Sequence, residues 1–84
     1  MIDIIPTHTV IMHNDDHNDF QYVMACLIKF CKHEALQAEQ CALITHYIKK
    51  CNVKEGDLQD MYYISENLLK AGLTVTLEKY TQIN

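Results

Sequence analysis

The densest run of polar, ligand-competent side chains in this sequence is His13-Asn14-Asp15-Asp16-His17-Asn18. Residues of these types serve three kinds of chemistry. Two imidazoles and two carboxylates could hold a metal ion, with His46 and Cys41 as further donors. Paired carboxylates could do acid–base work, although neighbours in sequence rarely converge on one substrate atom without partners from elsewhere. Asn and Asp also close turns and satisfy the free amides at a helix start, where two carboxylates suit the helix dipole. Taken alone, the residue types favour the turn-and-cap role. No Cys-x-x-Cys, His-Glu-x-x-His or closed Cys/His pair of zinc-finger type occurs.

Other candidates are sparser. Ser65 is the only serine, falls on a helical stripe and has no glycine elbow beside it. No cysteine lies in a motif that would activate it. His46, flanked by Ile44, Tyr47 and Ile48, has the surroundings of a core or boundary residue more often than of a ligand.

The elements that must position these residues follow from periodicity. A short flexible tail is expected over 1–8 and a single domain over 9–80. A strand is expected over 9–13, ending in the polar run. From Asp19 the pattern turns helical: Phe20, Val23, Met24, Leu27 and Cys31 form one stripe, and Asn18 with Gln21 gives a capping-box-like start. Lys32-His33-Glu34 interrupts it. A second helix over about 35–50 has apolar residues (Leu36, Leu43, Tyr47 and Cys41, Ile44, Ile48) over a broad arc. It is therefore expected to sit deep, with Lys49 and Lys50 in its last turn.

A short strand is expected over 51–54 and a third helix over about 57–71. That helix carries Leu58, Met61, Tyr62, Ser65, Leu68 and Leu69 on its stripe, with Gly72 just beyond its end. In a final strand over 73–80, Leu73, Val75 and Leu77 alternate with Thr74, Thr76 and Glu78. The order β-α-α-β-α-β predicts an α+β fold: a three-stranded, mainly antiparallel sheet with three helices packed on one face.

Composition narrows the function classes. Hydrophobic residues make up 49% of the 84, with only two glycines and one proline, which excludes a disordered chain. The formal charge is −4 and all seven basic residues are lysines, a poor basis for nucleic-acid recognition and a better one for a cationic partner. No apolar run approaches the roughly 20 residues that cross a bilayer. Four cysteines without a secretory signal are expected to be reduced, mostly buried thiols in a cytoplasmic protein.

Several short motifs occur in a familiar order: V-I-M-H-N-D-D (10–16), F-Q-Y-V (20–23), L-I-K-F (27–30), T-H-Y (45–47) and T-L-E-K (76–79). Together they resemble the ClpS family over about 9–79, with a shorter segment around 55–60. The resemblance implies an adaptor rather than an enzyme, without a cofactor or metal, acting as a monomer. Its partners would be a ClpA- or ClpC-type AAA+ unfoldase working with ClpP, and substrate proteins that begin with Leu, Phe, Tyr or Trp.

Carried onto matching positions, the residues that bind the substrate's α-amino group are Asn14, Asp15 and His46. The pocket for its first side chain is Phe20, Val23, Ala42, Thr45 and Leu73, with Asp16 and Asn18 at the rim. Ala42 stands where the family usually has methionine, Thr45 where an aliphatic residue is common, and Phe20 at a gatekeeper position often held by methionine. These changes imply a roomier or more polar wall and a narrower mouth. Only about eight residues precede the first strand, where the family commonly has a longer extension used in delivery. Two other readings stay open: a ClpS-like regulator that docks on the unfoldase without delivering substrates, and a metal-binding domain or small enzyme built on His13, Asp15, Asp16 and His17.

Overall fold

The strand that leads into the polar run is the middle one of the sheet. In the computed structural model, which describes residues 5–79, β1 (His8–His13) pairs antiparallel with β2 (Lys50–Gly56) on one side and β3 (Val75–Lys79) on the other. The order is β2-β1-β3, with one register shift between Val10 and Ile11 in the β1–β2 pairing. Flanked on both edges, β1 buries Thr9, Val10, Ile11 and Met12 in succession. The helices α1 (Phe20–Cys31), α2 (Ala35–Ile48) and α3 (Leu58–Lys70) pack on one face of the sheet, the predicted α+β arrangement. Val10, Met12, Leu27, Cys31, Met61 and Leu68 are the largest fully buried side chains and mark the centre of the core.

Boundaries differ from the periodicity in instructive places. Of the expected tail, residues 1–4 lie outside the described residues, and His8 already pairs with Gly56. The N-cap of α1 is Asp19, not Asn18: its carboxylate accepts from the Tyr22 amide at 2.7 Å. Helix α2 stops at Ile48 because Lys49 turns left-handed (φ 85°), so Lys49 lies past the last turn and Lys50 opens β2. That makes β2 longer than the expected 51–54, since polar residues on an edge strand do not break it. Leu73 and Thr74 precede β3 rather than starting it, and Tyr80, expected to end that strand, lies outside the described residues. Gly72, with φ 93°, follows α3 as anticipated, a conformation that suits a residue without a Cβ.

The larger departure concerns α2. It does not bury its large apolar residues: Leu36, Tyr47 and Ile48 are 65%, 74% and 67% exposed, whereas Ala38, Cys41, Ala42 and Thr45 are buried. Apolar side chains spread around a helix leave its rotation undetermined by period, and close approach to its neighbours selects the small-residue face. On α3 the stripe is likewise rotated. Met61, Ile64, Ser65 and Leu68 point inward, while Leu58, Tyr62 and Leu69 are exposed. Between α1 and α2, His33 is buried and its Nε2 donates to the Val53 carbonyl at 2.8 Å, tying the interruption to β2.

This division makes opposite demands on two leucines. Leu68→Ala should cost about 2–5 kcal/mol, and Leu36→Ala should stay within about 0.5 kcal/mol of the parent. Urea unfolding of both variants checks the rotation of α2, because a large loss at Leu36 would put that face inside.

Candidate functional site

The end of β1 is clamped from both sides. The His13 amide donates to the Thr74 carbonyl at 2.8 Å, and the Asn14 amide donates to the Lys49 carbonyl at 2.9 Å. The second bond joins the strand end to the residue that ends α2. It thereby sets the last turn of α2, which carries Thr45 and His46, against the start of the polar loop.

Asp15 organises that loop. Its Oδ1 accepts from the amides of His17 at 3.0 Å and Asn18 at 3.1 Å. The Asn18 Nδ2 spans both carboxylate oxygens at 3.1 and 3.2 Å, and the Thr74 hydroxyl donates to Oδ2 at 2.9 Å. Partial burial pushes the Asp15 carboxyl up. The Thr74 hydroxyl, the two amides and the Asn18 side chain outweigh it and hold the group below its ordinary range. Asn18 Nδ2 also reaches the Gly72 carbonyl at 2.8 Å, so the loop is tied to the turn between α3 and β3. The Tyr22 hydroxyl donates to the carbonyl of Ala71 in the same turn.

These connections surround a cavity of about 500 Å³. All ten residues singled out as substrate-binding candidates line it: Asn14, Asp15, Asp16, Asn18, Phe20, Val23, Ala42, Thr45, His46 and Leu73. Its deeper wall belongs to the core, since Met12, Ala42, Thr45 and Leu73 are buried. The Thr45 hydroxyl donates to the Cys41 carbonyl at 2.9 Å, within its own helix. Thr45 therefore offers the cavity no free donor, only the acceptor side of its hydroxyl. Phe20, at the first position of α1, is 38% exposed and stands at the mouth.

The polar atoms divide into engaged and free. Among the described residues, the Asn14 amide group, the Asp16 carboxylate and the His46 ring have no side-chain hydrogen-bond partner; His46 meets Tyr47 edge-to-face with centroids 4.9 Å apart. An apolar cavity edged by acceptors and two carboxylates suits a small cation that carries several donors and a hydrophobic group. It suits a metal less well. Among the described residues no three His, Cys, Asp or Glu side chains are grouped to hold one. His13 Nε2 instead meets the Thr76 hydroxyl at 2.9 Å, and His17 is not part of the cavity lining. Ser65 is buried with its hydroxyl bonded to the Tyr62 carbonyl, which leaves no free nucleophile there.

Four lining residues were not among the candidates of the sequence: Met12, Leu43, Tyr47 and Thr74; His13, weighed there as a metal ligand, lines the cavity as well. Leu43 and Tyr47 belonged to the arc expected to be buried, and Thr74 to the wet side of the last strand. For Tyr47 a signal was present in its adjacency to His46. For Thr74 none was.

The sign of the Asp15 shift gives a pH dependence. A carboxyl held below its unfolded value adds stability that is complete above that value, near pH 4, and lost as pH falls through the folded value. Asp15→Ala should cost about 1–2 kcal/mol at pH 7, at the low end for bonds to a charged group because the site is half open. The gap between parent and variant should narrow at pH 3, as read by denaturant unfolding at the two pH values.

The family model described as "ATP-dependent Clp protease adaptor protein ClpS" matches residues 5–76. The ATP-dependent Clp protease adapter protein ClpS of Thermosynechococcus vestitus is 37% identical over 71 residues, covering 83% of this chain and 76% of that protein. Among solved structures, Agrobacterium tumefaciens ClpS2 bound to L-phenylalaninamide superimposes with a TM-score of 0.80 at 17% identity, covering 89% of this chain and 98% of the other, a likeness of fold. With a family match over most of its length and a relative above one-third identity, the chain belongs to the ClpS family of Clp protease adaptor proteins.

Proposed function

We propose that the cavity captures the first residue of a substrate protein, and that the chain hands the captured protein to a ClpA- or ClpC-type AAA+ unfoldase. The observation that carries this reading is the set of acceptors without partners among the described residues, together with negative charge, at the edge of one apolar cavity. A free α-amine beside a bulky side chain fits both halves, and L-phenylalaninamide, the ligand of the Agrobacterium protein, combines the same two features.

Asn14 Oδ1 and a ring nitrogen of His46 accept from the α-ammonium. Asp15 acts chiefly through its field, because its oxygens already accept from the loop and Thr74. Asp16 adds a second, unengaged carboxylate at the rim. The first side chain enters among Phe20, Val23, Ala42, Thr45 and Leu73, where burying a Leu or Phe contributes about 1.5–3 kcal/mol. An internal Phe lacks the ammonium and an N-terminal Gly lacks the side chain, so only the combination binds well. The proposal includes action as a monomer in the cytoplasm. No helix among the described residues is long and apolar enough to cross a membrane.

Titration with matched peptides tests the reading. A peptide beginning with Phe should bind, and acetylating its α-amine should weaken it by roughly 100-fold or more, the loss of two charge-assisted hydrogen bonds. Equal affinity for the two would exclude recognition of a free terminus. Affinity should also depend on pH. It should fall above pH 8 as the peptide amine loses its proton. A His46→Ala variant that keeps the parent's affinity for the Phe peptide would remove His46 from the acceptor set.

A further inference from the structure

Two thiols from different elements meet behind the cavity. Cys41 of α2 donates its S–H to the sulfur of Cys51 of β2 at 2.8 Å. Both are free cysteines; Cys41 is buried and Cys51 only half so. Cys41 immediately precedes Ala42, a wall residue, and Cys51 lies opposite Met12, another wall residue, in the β1–β2 register. The pair thus bridges the helix and the strand layer that make the two sides of the site.

From this contact we infer that Cys41 and Cys51 form a reversible redox-modification site, closing to a disulfide by exchange with a low-molecular-weight disulfide. The sulfurs are already in contact and only ten residues apart in sequence, so the bond closes without bringing distant segments together. Their roles are unequal. Cys51 is the more accessible, and the S–H donated by Cys41 holds its thiol below the ordinary value despite some burial. The same contact, then burial, push the Cys41 thiol up.

Cys51 therefore attacks first, as thiolate. A sulfur–sulfur bond forms to one half of the small disulfide, and the other half leaves as a thiolate that takes up a proton. The Cys41 thiol then gives its proton to solvent and attacks the Cys51 sulfur, expelling the second thiolate, which is protonated in turn. One small disulfide is reduced to two thiols and the two protein thiols are oxidised to one disulfide. Cys26 and Cys31 stay out of the exchange. Both are buried, and burial raises the Cys31 thiol to about 11.

The test uses the full chain, oxidised glutathione at neutral pH, alkylation in denaturant and peptide mapping by mass spectrometry. Two of the four cysteines should resist alkylation and appear as a linked Cys41–Cys51 pair, and dithiothreitol should restore all four. A Cys41→Ser variant should instead retain one glutathione on Cys51. Four alkylated cysteines in the parent, a bond to Cys26 or Cys31, or a lasting glutathione adduct on Cys51 of the parent would each overturn the proposal. The parent's thiol count needs neither the variant nor peptide binding, so it stands or falls separately from the adaptor reading.

Discussion

A single carboxylate, that of Asp15, holds together the loop on which the site depends. It gathers two backbone amides, an amide side chain and a threonine hydroxyl that come from the loop itself and from the approach to β3. Through Asn18 the same network reaches the Gly72 carbonyl and so the end of α3. An anion surrounded by donors stays ionised, and its charge then stands at the cavity edge whether or not a ligand is present. Preorganisation of this kind lowers the cost of binding, because neither the loop nor the charge has to be assembled on encounter. Asp15 is thus a structural residue first, and its electrostatic contribution follows from that role.

The other half of the site depends on how α2 is seated. The small residues Ala38, Cys41, Ala42 and Thr45 let the helix lie close to the sheet, and the left-handed Lys49 ends it where the Asn14 amide can donate to the Lys49 carbonyl. His46 stays exposed on the last turn, beside the loop and outside the core. Large side chains on the inner face would push the helix outward and separate the imidazole from the strand end. The exposed Leu36, Tyr47 and Ile48 are the counterpart of that arrangement.

How much of this was legible depended on what each segment offers to periodicity. The stripe of α1, the alternation leading into β3 and the Asp57 start of α3 each carry a strong local signal, and those elements lie close to where the pattern puts them. Helix α2 is apolar on several sides, so its period carries no rotation, and contact with the rest of the chain decided which face went in. The left turn at Lys49 has no marker either, since lysine has no special preference for positive φ. At the site, the ten candidates came from motif resemblance, and the cavity gathers them. Thr74 depended on a hydrogen bond across 59 residues, beyond the reach of any local pattern.

The buried wall of the cavity has a thermodynamic corollary. Met12, Ala42, Thr45 and Leu73 belong to the interior of the domain while also lining the cavity, so a guest side chain lodged there would continue that interior. Any occupant that prefers the native chain to the unfolded one shifts the folding equilibrium with its concentration, by about 2.7 kcal/mol at a hundredfold excess over its dissociation constant. In a chain this small, which has little surplus stability, the vacant and loaded forms would then melt as two noticeably different proteins.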